Sequence, residues 1–244
     1  MGELEFYEKI KNWDFSKINR AEEKLTDWDL YKLLNQCSNE ESKILDLGTG
    51  GGEKVIKYFP NCKEIVATDL SIEMINTANN NLKESGRKNI IFRQMDNLHM
   101  DTPDEYFDIV VARNTCIDAS QIYKTLKMGG RLLVHGVDKL DCWSLKELFG
   151  RGQSFLDEKP ISKIDYENIL SAGFKNVELV PIQVKEYYHT KDDLMALLYK
   201  TPIINDFAFN EKIDEKIIDT YIFENQTEKG ILLKREYYGI IAIK

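Results

Sequence analysis

The stretch KILDLGTGGGEKVI, residues 43 to 56, passes from an apolar run into Gly48, Thr49, Gly50, Gly51 and Gly52 and then into a helix-like segment. A glycine-rich turn between strand and helix lets backbone N–H groups approach a ligand closely, and nucleotide sites use it at more than one spacing. A dinucleotide fingerprint, G-x-G-x-x-G counted from Gly48, requires glycine at position 53. The residue there is Glu53. Its carboxylate opens the following helix, where a pyrophosphate would sit, and two anions repel at that point. The turn suits a nucleoside ligand without phosphate.

The elements that position this turn show in the periodicity. β-rich runs at KILDLG (43–48), EIVATDL (64–70), NIIFRQMD (89–96), FDIVVARN (107–114) and GRLLVHGVD (130–138) alternate with helix-like stretches. Residues 71 to 84 open on Ser71, a suitable N-cap, and place Ile72, Ile75, Ala78 and Leu82 on one face. Such alternation implies parallel strands with right-handed crossovers, in a doubly wound α/β sheet that takes its ligand at the carboxyl ends of the strands.

Position for position, Asp46-x-Gly48-x-Gly50-x-Gly52 resembles the first motif of class I S-adenosylmethionine (SAM) dependent methyltransferases. The resemblance continues at Asp69, 23 residues on, which stands where that family binds both ribose hydroxyls, and at Asp96, which stands where it accepts from the adenine amino group. Asp69 alone identifies a ribose, because a nicotinamide cofactor offers the same hydroxyls. By this resemblance the cofactor-binding set is Asp46, Gly48, Thr49, Gly50, Gly52, Asp69, Leu70, Asp96, Asn97, Leu98 and Arg113. LKMGGRLLV (126–134) is similar to the family's turn into its fifth strand, with Met128 where proline is frequent. The pattern extends to AGFKNVELV (172–180) and REYYGIIAIK (235–244) as sixth and seventh strands, the last antiparallel on the family pattern. The implied fold is a Rossmann-like seven-stranded sheet in a single domain over 1–244, with an N-terminal helical cap (1–40) and a helical lid insertion (185–234).

The resemblance implies methyl transfer by in-line displacement from SAM, leaving S-adenosylhomocysteine, with the small-molecule acceptors of the ubiquinone and menaquinone biosynthesis group as the nearest pattern. A base is required only for a protonated acceptor. His135, near the end of the fifth strand, and His189, after the sixth, are candidates, as is Arg113 on the acceptor side with Asn114. ARNTCIDAS (112–120) carries no Asn-Pro-Pro-Tyr or Asp-Pro-Pro-Tyr signature of exocyclic-amino nucleic-acid methylation. Tyr7, Trp13 and Phe15 are candidates to cap the cofactor, and Arg151, between two glycines, to bind a carboxylate or phosphate.

Two other readings remain open at this point. EYYHTKDDLMALLYKTPI (186–203) distantly resembles a segment of bacterial ribosomal RNA guanine methyltransferases, although their cysteine cluster is absent and residues 185–234 hold seven Lys/Arg against ten Asp/Glu. A non-catalytic SAM-binding protein is the other. The formal net charge of −8 gives no general attraction to RNA or acidic membrane. No run of 18 apolar residues and no signal-peptide pattern occurs, so a cytoplasmic location is expected. The four cysteines and three histidines share no ligand spacing, and neither a metal nor a disulfide is expected.

Overall fold

The computed structural model describes residue 15, residues 17–207 and residues 210–244. Tyr7 and Trp13 lie outside these residues. The described strands are β1 (Arg20–Lys24), β2 (Lys43–Leu47), β3 (Glu64–Asp69), β4 (Ile90–Gln94), β5 (Phe107–Arg113), β6 (Leu126–Val137), β7 (Lys175–Tyr188), β8 (Gln226–Thr227) and β9 (Gly230–Ile243). The helices are α1 (Leu30–Cys37), α2 (Glu53–Tyr58), α3 (Ile72–Ser85), α4 (Ala119–Thr125), α5 (Trp143–Phe149), α6 (Ile161–Ser171), α7 (Lys191–Lys200) and α8 (Glu211–Asn225).

One sheet carries all the strands in the order β1-β7-β9-β6-β5-β2-β3-β4, with β8 beside β9. The five strands from β4 to β6 are parallel, and β9 runs antiparallel to both β6 and β7. All seven expected strands are present. Two more join them, the charged edge strand β1, inside the segment expected to be helical, and the two-residue β8. The central strands bury both faces, so β2 reads as a nearly continuous apolar run rather than an alternation. Leu45 and Leu47 pack into a cluster with α4 and α6, whereas Ile44 faces Leu30 and Leu34 of α1, Val55 of α2 and Ile75 of α3. Ser71 caps α3 as expected, accepting from the Met74 N–H. Ile72, counted on its buried face, is exposed.

The insertion is shorter than the sequence suggests, because its flanking strands are longer. β7 continues to Tyr188 and β9 begins at Gly230, paired from Lys175↔Ile243 to Tyr188↔Ile231. β6 stops level with Tyr237, so six further residues of each strand form a ribbon beyond the parallel sheet, roughly 20 Å long. Helices α7 and α8 pack on this ribbon and on α5 through a separate core of Leu194, Leu197, Leu198, Ile218, Tyr188 and Leu233.

A buried ionic group fastens the ribbon to the chain after β6. Arg235 donates from Nε to Asp141 at 2.8 Å and from a terminal nitrogen to Glu186 at 3.1 Å, and the Tyr188 hydroxyl donates to Glu186 at 2.6 Å. Every charge in the group has a partner, which offsets the cost of burying it.

Candidate active site

The glycine turn follows β2. Gly48 and Gly52 have φ of 74° and 77°, in the left-handed region that favours glycine. Space forbids a side chain as well: a Cβ at Gly48 would fall 2.6 Å from Cβ of Thr115, and one at Gly52 would fall 2.6 Å from the Phe92 ring. The N–H groups of Gly48 and Thr49 donate to the Thr68 carbonyl at 2.9 and 2.8 Å, docking the turn on the end of β3. Asp69 completes the dock. Its Oδ2 accepts from the Gly50 N–H and its Oδ1 from the Ser71 N–H, both at 2.9 Å. Burial raises its pKa, opposed by these N–H bonds. Each oxygen keeps a lone pair for a ligand hydroxyl.

Beyond β4, Asp96 is half-buried and accepts from the Leu98 N–H and the His99 ring, both at 2.8 Å, and the His99 contact leads in lowering its pKa. Asn97 donates to the Thr115 hydroxyl at 2.9 Å while its own Oδ1 is buried without a hydrogen-bond partner. Leu70 and Leu98 are exposed, two apolar side chains flanking these polar groups. An orphaned acceptor, exposed apolar flanks and a carboxylate at the next strand end fit a nucleoside with a flat base.

A second set of residues lies where alternation places it. Ile44, Val111, Leu133 and Ile241 face α1, and so, two residues further along, do Asp46 on β2, Arg113 on β5 and His135 on β6, and two residues back on the antiparallel β9, Gly239. Tyr237 continues the row on β9. Above it stand Trp28 and Tyr31, at the amino end of α1, whose N-cap Asp29 accepts from the Tyr31 and Lys32 N–H groups. Trp28 lies against Gly239, where a Cβ would come within 2.4 Å of the indole. The His135 ring packs against Trp28, 5.8 Å away between centroids, and against Tyr237, 5.1 Å away.

Electrostatics here are set by burial and by Arg113. Burial pushes the Asp46 carboxyl up to about 7 against the pull of Arg113, and pushes the Tyr31 phenol up to about 12. Burial first, then Arg113, takes His135 down to about 4. The Tyr31 hydroxyl and the Trp28 Nε1 are buried without hydrogen-bond partners. The Arg113 guanidinium makes no hydrogen bond or ion pair among the described residues. The row therefore offers unsatisfied donors and one neutral imidazole beside the glycine turn.

His189 does not join it. His135 is level with Gly239 and hence with Val180, and His189 lies nine residues beyond Val180 along the ribbon, roughly 30 Å from that level. It is exposed, and its N–H donates to the Asn19 carbonyl. Arg151 is also committed elsewhere. Its guanidinium donates to both oxygens of Asp214 on α8, at 2.8 and 3.0 Å, and to the Asn205 carbonyl at 2.8 Å, so it holds the insertion rather than a ligand. Phe15 packs on the insertion core. Trp28, Tyr31 and Tyr237 escape a reading by motif, because their partners are distant in sequence. The aromatic residues flanking Asp29, a good N-cap, are the one local signal. A groove of about 590 Å³ lies at the opposite, amino ends of the strands, lined by Lys43, Asp108 and Arg131, away from all these residues.

A model of a methyltransferase domain matches residues 38–201, from the residue after α1 through α7. The chain belongs to this methyltransferase family. With the fold above, that makes it a class I SAM-dependent methyltransferase domain whose cofactor is SAM. The methyltransferase is 28% identical over 214 residues to a phosphoethanolamine N-methyltransferase of Plasmodium falciparum, covering 75% of this chain and 77% of the relative. It is 29% identical over 93 residues to the methyltransferase YcgJ of Bacillus subtilis, covering 38% of this chain and 37% of that relative, so this alignment spans little more than a third of either protein. The YcgJ crystal structure superposes with a TM-score of 0.60 at 21% identity, covering 88% of this chain and 97% of that one. A Haemonchus contortus phosphoethanolamine N-methyltransferase bound to S-adenosylhomocysteine gives a TM-score of 0.55 at 19% identity, covering 99% of this chain and 57% of that one. Among the described residues no helix is long and apolar enough to cross a membrane.

Proposed function

We propose that this methyltransferase transfers the methyl group of SAM to a small-molecule acceptor held over His135 and Tyr237, beneath Trp28 and Tyr31, in a row whose other members, Asp46 and Arg113, face the cofactor. The observation that carries the reading is that alternation on four strands sets these side chains on one face at the carboxyl edge, beside the glycine turn. The cofactor, when bound, supplies a methyl carbon on a positively charged sulfur, which a lone pair on the acceptor displaces. The residues proposed to hold it are Asp69 for the ribose hydroxyls, Asp96 and Asn97 with Leu70 and Leu98 for the base, Asp46 for the amino-acid ammonium and Arg113 for its carboxylate. Gly48, Thr49, Gly50 and Gly52 keep that approach open. Positioning is the protein's main task, because the donor is already activated and holding two reactants together supplies effective molarities on the order of 10⁵ M or above.

A small acceptor is supported by the relationship to the Plasmodium enzyme, whose name gives phosphoethanolamine, and by the acidic balance of the insertion. An acidic surface is a poor cradle for RNA phosphates. Transfer of labelled methyl from SAM into a metabolite extract and, separately, into ribosomal RNA tests the reading. Label in a small molecule is expected. Label in RNA alone, or SAM binding with no product from either pool, overturns it.

A further inference from the structure

Asn114, the residue after β5, is one of the described non-glycine residues with a left-handed backbone, at φ 53°. Asparagine tolerates this region better than most side chains. Two contacts to one residue hold it there. Its N–H donates to the His135 carbonyl at 2.7 Å, and its Oδ1 lies 3.1 Å from Nδ1 of the His135 ring. An amide oxygen only accepts, so the ring nitrogen facing it carries the hydrogen. In a neutral imidazole Nε2 then has a free lone pair.

The surroundings keep the ring neutral and fixed. The Trp28 and Tyr237 rings both pack against it, and Arg113, its neighbour in the β5–β6 pairing, disfavours a second positive charge. Nε2 makes no hydrogen bond to any described residue.

We propose that Asn114 locks His135 as the Nδ1–H tautomer, so that Nε2 receives the X–H of the methyl acceptor, whose reacting group is therefore a neutral hydroxyl or an unprotonated amine. This rests on the assignment of His135 and Tyr237 to the acceptor site. His135 is then a catalytic residue, because it touches the acceptor, and Asn114 is a positioning residue. In the step, a lone pair on X forms the bond to the methyl carbon as the sulfur–carbon bond breaks and leaves its electrons on sulfur. X becomes positive, its hydrogen turns acidic, and the proton passes to Nε2. A weakly basic imidazole passes that proton on to water and returns to its starting tautomer.

Three histidines in the whole chain make the ring nitrogens easy to assign by ¹⁵N NMR, with His135→Gln as the control spectrum. The ligand-free protein should show hydrogen on Nδ1 of His135. Asn114→Gly keeps the backbone freedom and removes the oxygen, and should give mixed tautomers. The initial rate of labelled-methyl transfer into the metabolite extract should fall roughly 10-fold or more, while calorimetric binding of S-adenosylhomocysteine stays within about threefold. Asn114→Asp keeps an accepting oxygen and should restore both tautomer and rate. Hydrogen on Nε2 in the wild type, or an Asn114→Gly spectrum identical to it, overturns the inference. Loss of S-adenosylhomocysteine binding in Asn114→Gly would instead overturn the assignment of His135 to the acceptor, whatever the tautomer.

Discussion

The Gly50 N–H donates to Oδ2 of Asp69 at 2.9 Å, so the carboxylate proposed to hold the ribose also holds the glycine turn. Asp69→Ala removes both functions. Each charge-assisted hydrogen bond contributes about 1.5–3 kcal/mol at most, and SAM binding is expected to weaken roughly 10- to 100-fold. Asp69→Asn should do little better, because its NH₂ group would face an N–H of either Gly50 or Ser71. Calorimetry and amide exchange at Gly50 check this. Faster exchange in both variants is expected, and an unchanged dissociation constant in folded Asp69→Ala would show that this residue does not touch the cofactor.

Asp46 carries a pH dependence with a definite sign. Its folded-state pKa, about 7, lies above the ordinary 3.8 because the group is buried. The folded chain therefore holds a proton that the unfolded chain releases, so stability falls as pH rises between about 4 and 7 and the full penalty is present above 7. Asp46→Asn should raise the melting temperature at pH 8, with a gain in stability of about 4 kcal/mol at most, and leave it nearly unchanged at pH 4. Since SAM brings an ammonium and a sulfonium, its affinity should rise with pH up to about 7 in the wild type and stay flat in the variant. A pH-independent wild-type affinity would contradict the contact.

Gly239→Ala places a methyl group 2.4 Å from the Trp28 indole. Either the indole moves or the strand shifts, and overpacking of this kind costs about 1–3 kcal/mol. Methyl transfer should drop at least 10-fold while the SAM dissociation constant stays within about threefold. Wild-type turnover in this variant would remove Trp28 from the acceptor site.

His189→Ala should leave turnover and the Michaelis constant for the acceptor within about twofold of wild type, equivalent to roughly 0.4 kcal/mol. The ring is exposed at the far end of the ribbon, although its sequence position after the sixth expected strand suggests otherwise. Steady-state kinetics settle the point, and a tenfold loss would place His189 at the acceptor in solution.

The glycine turn, Asp69 and the parallel strand order are legible in the sequence because each follows from local pattern: apolar runs, a turn requiring left-handed φ, and a carboxylate at a strand end. The row facing α1 is only half legible. Arg113 and His135 stand at strand ends, but Trp28, Tyr31 and Tyr237 reach them through the docking of α1 and the pairing of β9, which no local spacing encodes. Arg151 misleads for a similar reason. Its free-looking fork is filled by Asp214, 63 residues away. His189 misleads because a strand's end is hard to place where alternation continues, and here β7 runs eight residues past the 180 expected for it.

The overhang of β7 and β9 bears on how such a chain changes over generations. Its own core holds α7 and α8, and it is tied to the chain after β6 by the Arg235–Asp141 clamp and by the N–H groups of Asp138 and Cys142, which donate to the Glu236 and Lys234 carbonyls. Insertions, deletions or wholesale exchange above that clamp leave the turn after β2 and the ends of β3 and β4 untouched. The overhang can drift while the part that meets the universal donor stays under constraint, and chimaeras joined beyond Glu186 and Arg235 are the natural laboratory form of that history.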